Sequence, residues 1–142
     1  MILVDLNLLL YAVNEAANQH ERARTWWEEA LSGSETVALP WTVILGFLRI
    51  TTNRRIMPRP LTAVQAMDLV QDWLDQPPVE PIQATQEHWT ILRELLEELG
   101  TAGNLTSDAH LAALAVEHGA RLYSTDNDFS RFANVRWVNP LA

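Results

Sequence analysis

Short unbroken apolar runs alternate along this chain with longer segments in which apolar residues recur every three or four positions. The first run, Ile2-Leu3-Val4, stops at Asp5, and apolar residues then resume through Leu8, Leu9 and Tyr11. A buried strand needs a continuous run and an amphipathic helix a periodic one, so the pattern predicts a strand running straight into a helix. Ala23, Trp26, Trp27, Ala30 and Leu31 share a helical face that opens after Ala16-Ala17-Asn18-Gln19 and ends at Ser32-Gly33-Ser34. Residues 36–39 predict a second strand, closed by Pro40. The next helix, from Trp41 to about Asn53, is apolar almost all round and is expected to be buried. Gly46 in its middle costs about 1 kcal/mol relative to alanine, so it needs close packing or ligand space as a reason.

Met57-Pro58-Arg59-Pro60 is a stiff loop, after which Thr62 and Gln65 form a capping-box signature. The helix they open turns Ala66, Met67, Val70, Trp73 and Leu74 inward and ends at Pro77-Pro78. Residues 79–82 predict a short strand, in which Pro81 points to a sheet edge or a strand end. Thr85 is expected to cap a helix carrying Trp89, Leu92, Leu96 and Leu99, with Gly100 ending it. Residues 104–118 predict a further helix closed by Gly119, residues 121–124 a strand, and residues 135–138 a last edge strand. Strands that alternate with helices build a parallel sheet covered on both faces. The expected fold is α/β, a three-layer α/β/α arrangement with a central parallel sheet, in a single domain over residues 1–142.

Composition narrows the chemistry. Without cysteine, disulfides, Cys-ligated zinc and thiol catalysis are excluded. No basic leader precedes an apolar stretch and no apolar run nears membrane-spanning length, so the expectation is a soluble cytoplasmic protein with no membrane partner. The formal charge is −8, yet all ten basic residues are arginine, and Arg49, Arg54, Arg55 and Arg59 cluster in a stretch, residues 36–67, that lacks any Asp or Glu. That cluster reads either as a solvated helix end and loop or as a phosphate-facing rim, since the arginine fork suits phosphate. Six tryptophans in a small domain admit two readings, simple core filling or an apolar groove for a partner segment around Trp26 and Trp27.

Three acids break the binary pattern. Asp5 and Asp126 each follow a predicted strand, and Asp108 lies early in its helix with Leu111, Ala112 and Ala115 as its i+3, i+4 and i+7 neighbours. Singly, each has a bland role: a turn, a cap, or an acid at a helix N-terminus. Jointly they point to one crevice, because parallel sheets gather strand ends and helix starts at one edge. Carboxylates gathered there repel one another unless a divalent cation sits between them, and an all-oxygen donor set selects Mg²⁺, or Mn²⁺. Such a site can activate water against a phosphodiester. Asp128 is expected to cap a short following helix. The four histidines read as structural or surface residues, His110 being the nearest to an acid of interest. No nucleophile elbow, Ser-His-Asp order or glycine-rich phosphate loop competes.

Four segments in order, V-D-L-N-L-L-L-Y-A at 4–12, G-F-L-R-I-T-T-N-R-R-I at 46–56, L-T-S-D-A-H-L-A-A-L-A at 105–115 and S-T-D-N-D-F at 124–129, resemble PIN-domain proteins. The likeness is to the VapC toxins of bacterial VapBC toxin–antitoxin pairs in particular. It implies a Mg²⁺-dependent endoribonuclease that cleaves structured RNA such as tRNA, is held inactive by a VapB-like antitoxin, and forms a homodimer. It assigns catalytic and metal-binding roles to Asp5, Asp108 and Asp126, with Asn7, Thr125 and Asp128 orienting the site. One position departs: where the family carries a Glu before the F/L-L-R element, this chain has Gly46. The alternative is therefore a catalytically degenerate PIN module kept for antitoxin binding. A phosphatase using Asp5 as covalent nucleophile lacks the lysine that such enzymes place beside the phosphoryl group, since the chain has none.

Overall fold

The computed structural model describes residues 1–142. Five short strands, β1 (Ile2–Val4), β2 (Val37–Pro40), β3 (Val79–Ile82), β4 (Arg121–Tyr123) and β5 (Trp137–Val138), form one sheet. Its order is β3-β2-β1-β4-β5, and every pairing is parallel. The helices are α1 (Leu6–Val13), α2 (His20–Ser32), α3 (Trp41–Thr51), α4 (Ala63–Leu74), α5 (His88–Leu99) and α6 (Thr106–Glu117), with 3₁₀ turns at Gly103–Leu105 and Asn127–Arg131.

The strand order decides which face each helix covers. From β1 to β2 to β3 the chain steps one way across the sheet, and from β3 to β4 it crosses back over β2 and β1. Right-handed crossovers then lay α1–α4 on one face and α5–α6 on the other. The packing agrees: α1 meets α2 and α3, α3 meets α4, and α5 meets α6. The expected three-layer α/β/α fold is the observed one. The reversal of direction falls between β1 and β4, whose carboxyl ends therefore open a crevice.

Local signals account for most boundaries. Thr62 Oγ1 accepts from the Gln65 N–H at 3.1 Å while the Gln65 side chain accepts from the Thr62 N–H at 3.0 Å, a complete capping box. Gly100 and Gly119 adopt φ of +73° and +66°, left-handed conformations that end α5 and the turn after α6. Pro81 does lie on an edge strand.

The pattern misplaced burial in three helices. The helix sunk on nearly all sides is α6, through Ala109 and Leu111–Ala115, whereas α3 exposes Trp41 and Leu45. Alanine-rich α6 can lie close against both the sheet and α5; α3 belongs to the more crowded layer of four helices and keeps one side in solvent. Met67 and Trp89, expected inside, are also exposed, and Leu95 is the buried anchor of α5. That helix starts at His88, not at a Thr85 cap. The tryptophans of α2 divide: Trp27 is buried edge-on to Trp73 and fills the core, whereas Trp26 stacks on Tyr123 and lines an open cleft with Arg22, Thr25 and Leu141.

Candidate active site

Parallel pairing of β1 with β4 matches Val4 to Tyr123, so the next residues, Asp5 and Ser124, emerge side by side. The Asp5 N–H donates to the Tyr123 carbonyl at 3.0 Å, which fixes this alignment. Ser124 is fully buried, and its hydroxyl donates to Asp5 Oδ2 at 2.7 Å. Ser124 Oγ in turn accepts from Asn7 Nδ2 at 3.2 Å and from the Asp126 N–H at 3.0 Å. Asp5 Oδ1 takes the Leu6 N–H at 2.7 Å, at the start of α1. One buried serine thus ties together β1, α1 and the turn after β4.

That turn carries two further acids. Asp126 Oδ1 accepts from the Asp128 N–H at 2.9 Å, so Asp126, not Asp128, caps the short 3₁₀ turn. Asp108, in the first turn of α6, faces them across the crevice. Carboxylate oxygens of Asp108, Asp126 and Asp128 lie within 4.8 Å of one another. Asp5 adjoins this trio and feels its charge: burial raises the Asp5 pKa above the usual carboxylate range, hydrogen bonds from Ser124 and Leu6 oppose that, and Asp126 adds to it. Asp108 is pushed up to about 6, first by burial and then by Asp126, Asp5 and Asp128. None of these four carboxylates forms an ion pair within the chain.

A cavity of about 460 Å³ opens beside the acids, lined by Asp5, Asp108, Gly46, Arg49 and His110, with Thr42, Thr106 and Ser107 among its polar walls. Gly46 has a packing reason: a Cβ there would come within 2.8 Å of Leu6 Cδ2. Its lack of a side chain also leaves this wall of the cavity open. Arg49 is the only arginine at the cavity; Arg54, Arg55 and Arg59 are exposed on the segment after α3 and join no ion pair. Thr125 is half-buried and its side chain makes no hydrogen bond.

The donor set tests the cation expected from the residues. Four carboxylates, no sulfur and no ion pair to any of the four fit a hard divalent ion, which would relieve both the burial of Asp108 and its repulsion by the neighbouring acids. Asn7 Oδ1, buried and without a hydrogen-bond partner, adds one more unsatisfied oxygen near Asp5.

The PIN domain family model matches residues 2–135. The chain belongs to the PIN-domain family. This PIN domain is 43% identical to Ribonuclease VapC33 of Mycobacterium tuberculosis over 141 residues, covering 99% of both chains. It is 45% identical to Ribonuclease VapC37 of the same organism over 142 residues, all of this chain and 99% of that one. Among solved structures it resembles VapBC2 from Rickettsia felis bound to a promoter DNA fragment, with TM-score 0.69, 21% identity and 98% of each chain covered.

Of the residues expected at the site of this PIN domain, the structure gathers Asp5, Asp108, Asp126 and Asp128, with Asn7 behind them. It sets Arg49 at the rim and leaves Arg54, Arg55 and Arg59 outside. The sequence reading missed Ser124, which the β1–β4 register would have placed opposite Asp5. It also missed the contacts of His110. His110 Nδ1 lies 2.9 Å from His88 Nε2, and His88 Nδ1 lies 2.7 Å from Glu117 Oε2. His110 and Glu117, seven apart on α6, carry the spacing of one helix face, a signal that was legible.

Proposed function

We propose that this chain is a divalent-metal-dependent endoribonuclease, the toxin of a VapBC-type pair. The observation that carries the reading is the convergence of Asp5, Asp108, Asp126 and Asp128 at one strand-end crevice with no ion pair to any of them. Relatives that match end to end are named ribonucleases, which supports the choice of substrate.

Asp5, Asp108, Asp126 and Asp128 would hold Mg²⁺ or Mn²⁺. When bound, that ion supplies charge neutralisation and Lewis acidity for hydrolysis of an RNA phosphodiester. The chain's own residues do the positioning. Ser124 fixes the rotamer of Asp5, Asn7 holds Ser124, and the turn cap at Asp126 points that carboxylate into the crevice. Arg49 offers its guanidinium to a backbone phosphate entering the cavity. Arg54, Arg55 and Arg59 extend that basic rim towards RNA or a VapB-like antitoxin. The functional unit is a homodimer acting in the cytoplasm on structured RNA such as tRNA. Gly46 favours a second reading, a degenerate module retained for antitoxin binding.

Purified protein incubated with labelled structured RNA and Mg²⁺ separates the two. The nuclease reading expects cleavage that EDTA stops, Mn²⁺ restores, and Asp5→Asn or Asp126→Asn reduces on the order of 100-fold or more. Antitoxin binding with no metal-dependent cleavage of any RNA supports the module and rejects the nuclease.

A further inference from the structure

Beside the acids stands a second polar system with no part in gathering them. His88 on α5 and His110 and Glu117 on α6 form a chain of hydrogen bonds, Glu117 Oε2 to His88 Nδ1 at 2.7 Å and His88 Nε2 to His110 Nδ1 at 2.9 Å. The two rings meet edge to face, with centroids 4.7 Å apart and planes at 74°. The Glu117 side chain is 0% exposed, and its other oxygen accepts the Thr85 N–H at 2.8 Å. Burying a carboxylate to join two helices is an expensive way to gain stability; apolar residues of similar volume serve as well or better. The chain therefore calls for a purpose beyond clipping α5 to α6.

Its far end supplies one. His110 lines the cavity that Asp5 and Asp108 also line. With Nδ1 engaged by His88, Nε2 is the ring's one free nitrogen. The carboxylate sets the polarity of the whole chain. Glu117 accepts, so His88 donates through Nδ1; with one proton on each ring, His88 Nε2 then accepts from His110 Nδ1–H. His110 Nε2 is left as a hydrogen-bond acceptor on the cavity wall it shares with Asp5 and Asp108. Phosphate oxygens, acceptors themselves, gain nothing there. The donor that distinguishes RNA from DNA at such a place is the ribose 2′-hydroxyl.

We infer that His110 contacts the ribose 2′-hydroxyl of a nucleotide in the cavity and selects RNA over DNA, with His88 and Glu117 as the positioning residues that set its tautomer. This rests on the reading of the acid cluster as a nuclease site. The test measures binding of a labelled mixed-sequence RNA and its all-2′-deoxy counterpart by fluorescence anisotropy, in Mg²⁺ and in an Asp5→Asn background so that the RNA stays intact. The parent should prefer RNA, and His110→Phe should cut that preference about 2- to 10-fold, the worth of one hydrogen bond. His110→Gln, whose amide reaches the same place, should retain part of it. Glu117→Gln can donate as well as accept, so it should lower the preference with His110 intact. A merely structural clip would shift the melting temperature in these variants and leave the RNA-to-DNA ratio alone. A parent that binds both nucleic acids alike, or a ratio unmoved by His110→Phe and Glu117→Gln, overturns the inference. Failure of the nuclease reading would register separately, as wild-type protein that cleaves no RNA in Mg²⁺.

Discussion

The two ends of the β1–β4 pair treat negative charge in opposite ways. At the amino end, Glu35 meets two cations: the N-terminal ammonium at 3.0 Å and Arg121 at 2.7 Å. Its carboxyl is held below the usual carboxylate range by the hydrogen bond from Arg121 and then by that from the N-terminus. Arg121 in turn lies 5.3 Å over the Tyr123 ring. Three residues further along the same strands, Asp5 sits beside Asp126 and Asp108 with no ion pair, and the Asp5 and Asp108 pKa values are raised. The chain can neutralise a carboxylate where only the fold is at stake. At the carboxyl end that neutralisation is withheld, and the unmet charge is the property a bound cation would use.

Replacing one acid at the carboxyl end should separate function from stability most sharply. Asp108→Asn is expected to lower metal-dependent RNA cleavage on the order of 100-fold or more, measured with labelled RNA. In metal-free buffer at neutral pH the same variant should melt about 2–5 °C higher, since it removes one of four mutually repelling charges. A melting temperature that falls instead would mean the four carboxylates are not in conflict.

The pH dependence follows from the same contrast. Burial, and then Asp126, Asp5 and Asp128, push the Asp108 pKa up to about 6 in the fold from its ordinary 3.8. A raised pKa means that its contribution to stability is fully present below the unfolded value and is lost as pH rises through the folded one. Metal-free protein should therefore lose stability between about pH 4 and pH 6 from this group, and Asp108→Asn should flatten that part of a denaturant-derived stability curve. Glu35 carries the opposite sign. Its lowered pKa gives stability that is present above the ordinary value of 4.5 and lost as pH falls. Because the Glu35 side chain is 41% exposed and its pairs are screened by solvent, Glu35→Gln should cost only about 0.5 kcal/mol in urea unfolding and leave RNA cleavage unchanged.

Much of the carboxyl end was legible from residue order. Asp5 and Asp126 follow predicted strands, Asp108 contradicts the apolar face of its helix, and a parallel sheet has to bring such positions together. The sheet edge at Pro81 and the cap at Thr62 were legible for equally local reasons. Burial was less so, because periodicity says which residues share a face but not which layer the face meets. All-round apolar α3 was therefore expected inside, and the low contrast of alanine-rich α6 hid the helix that is sunk. Ser124 and the Glu117–His88–His110 chain were missed because each depends on pairing across separate elements, β1 with β4 and α5 with α6.

The most direct test of the withheld neutralisation is a calorimetric titration of Mn²⁺ or Mg²⁺ into metal-free protein at neutral pH, run on the wild type, Asp108→Asn and Glu35→Gln. Saturable binding in the wild type and in Glu35→Gln, weakened at least about tenfold in Asp108→Asn, is the predicted result. Equal binding by all three proteins, or none in the wild type, would contradict the account.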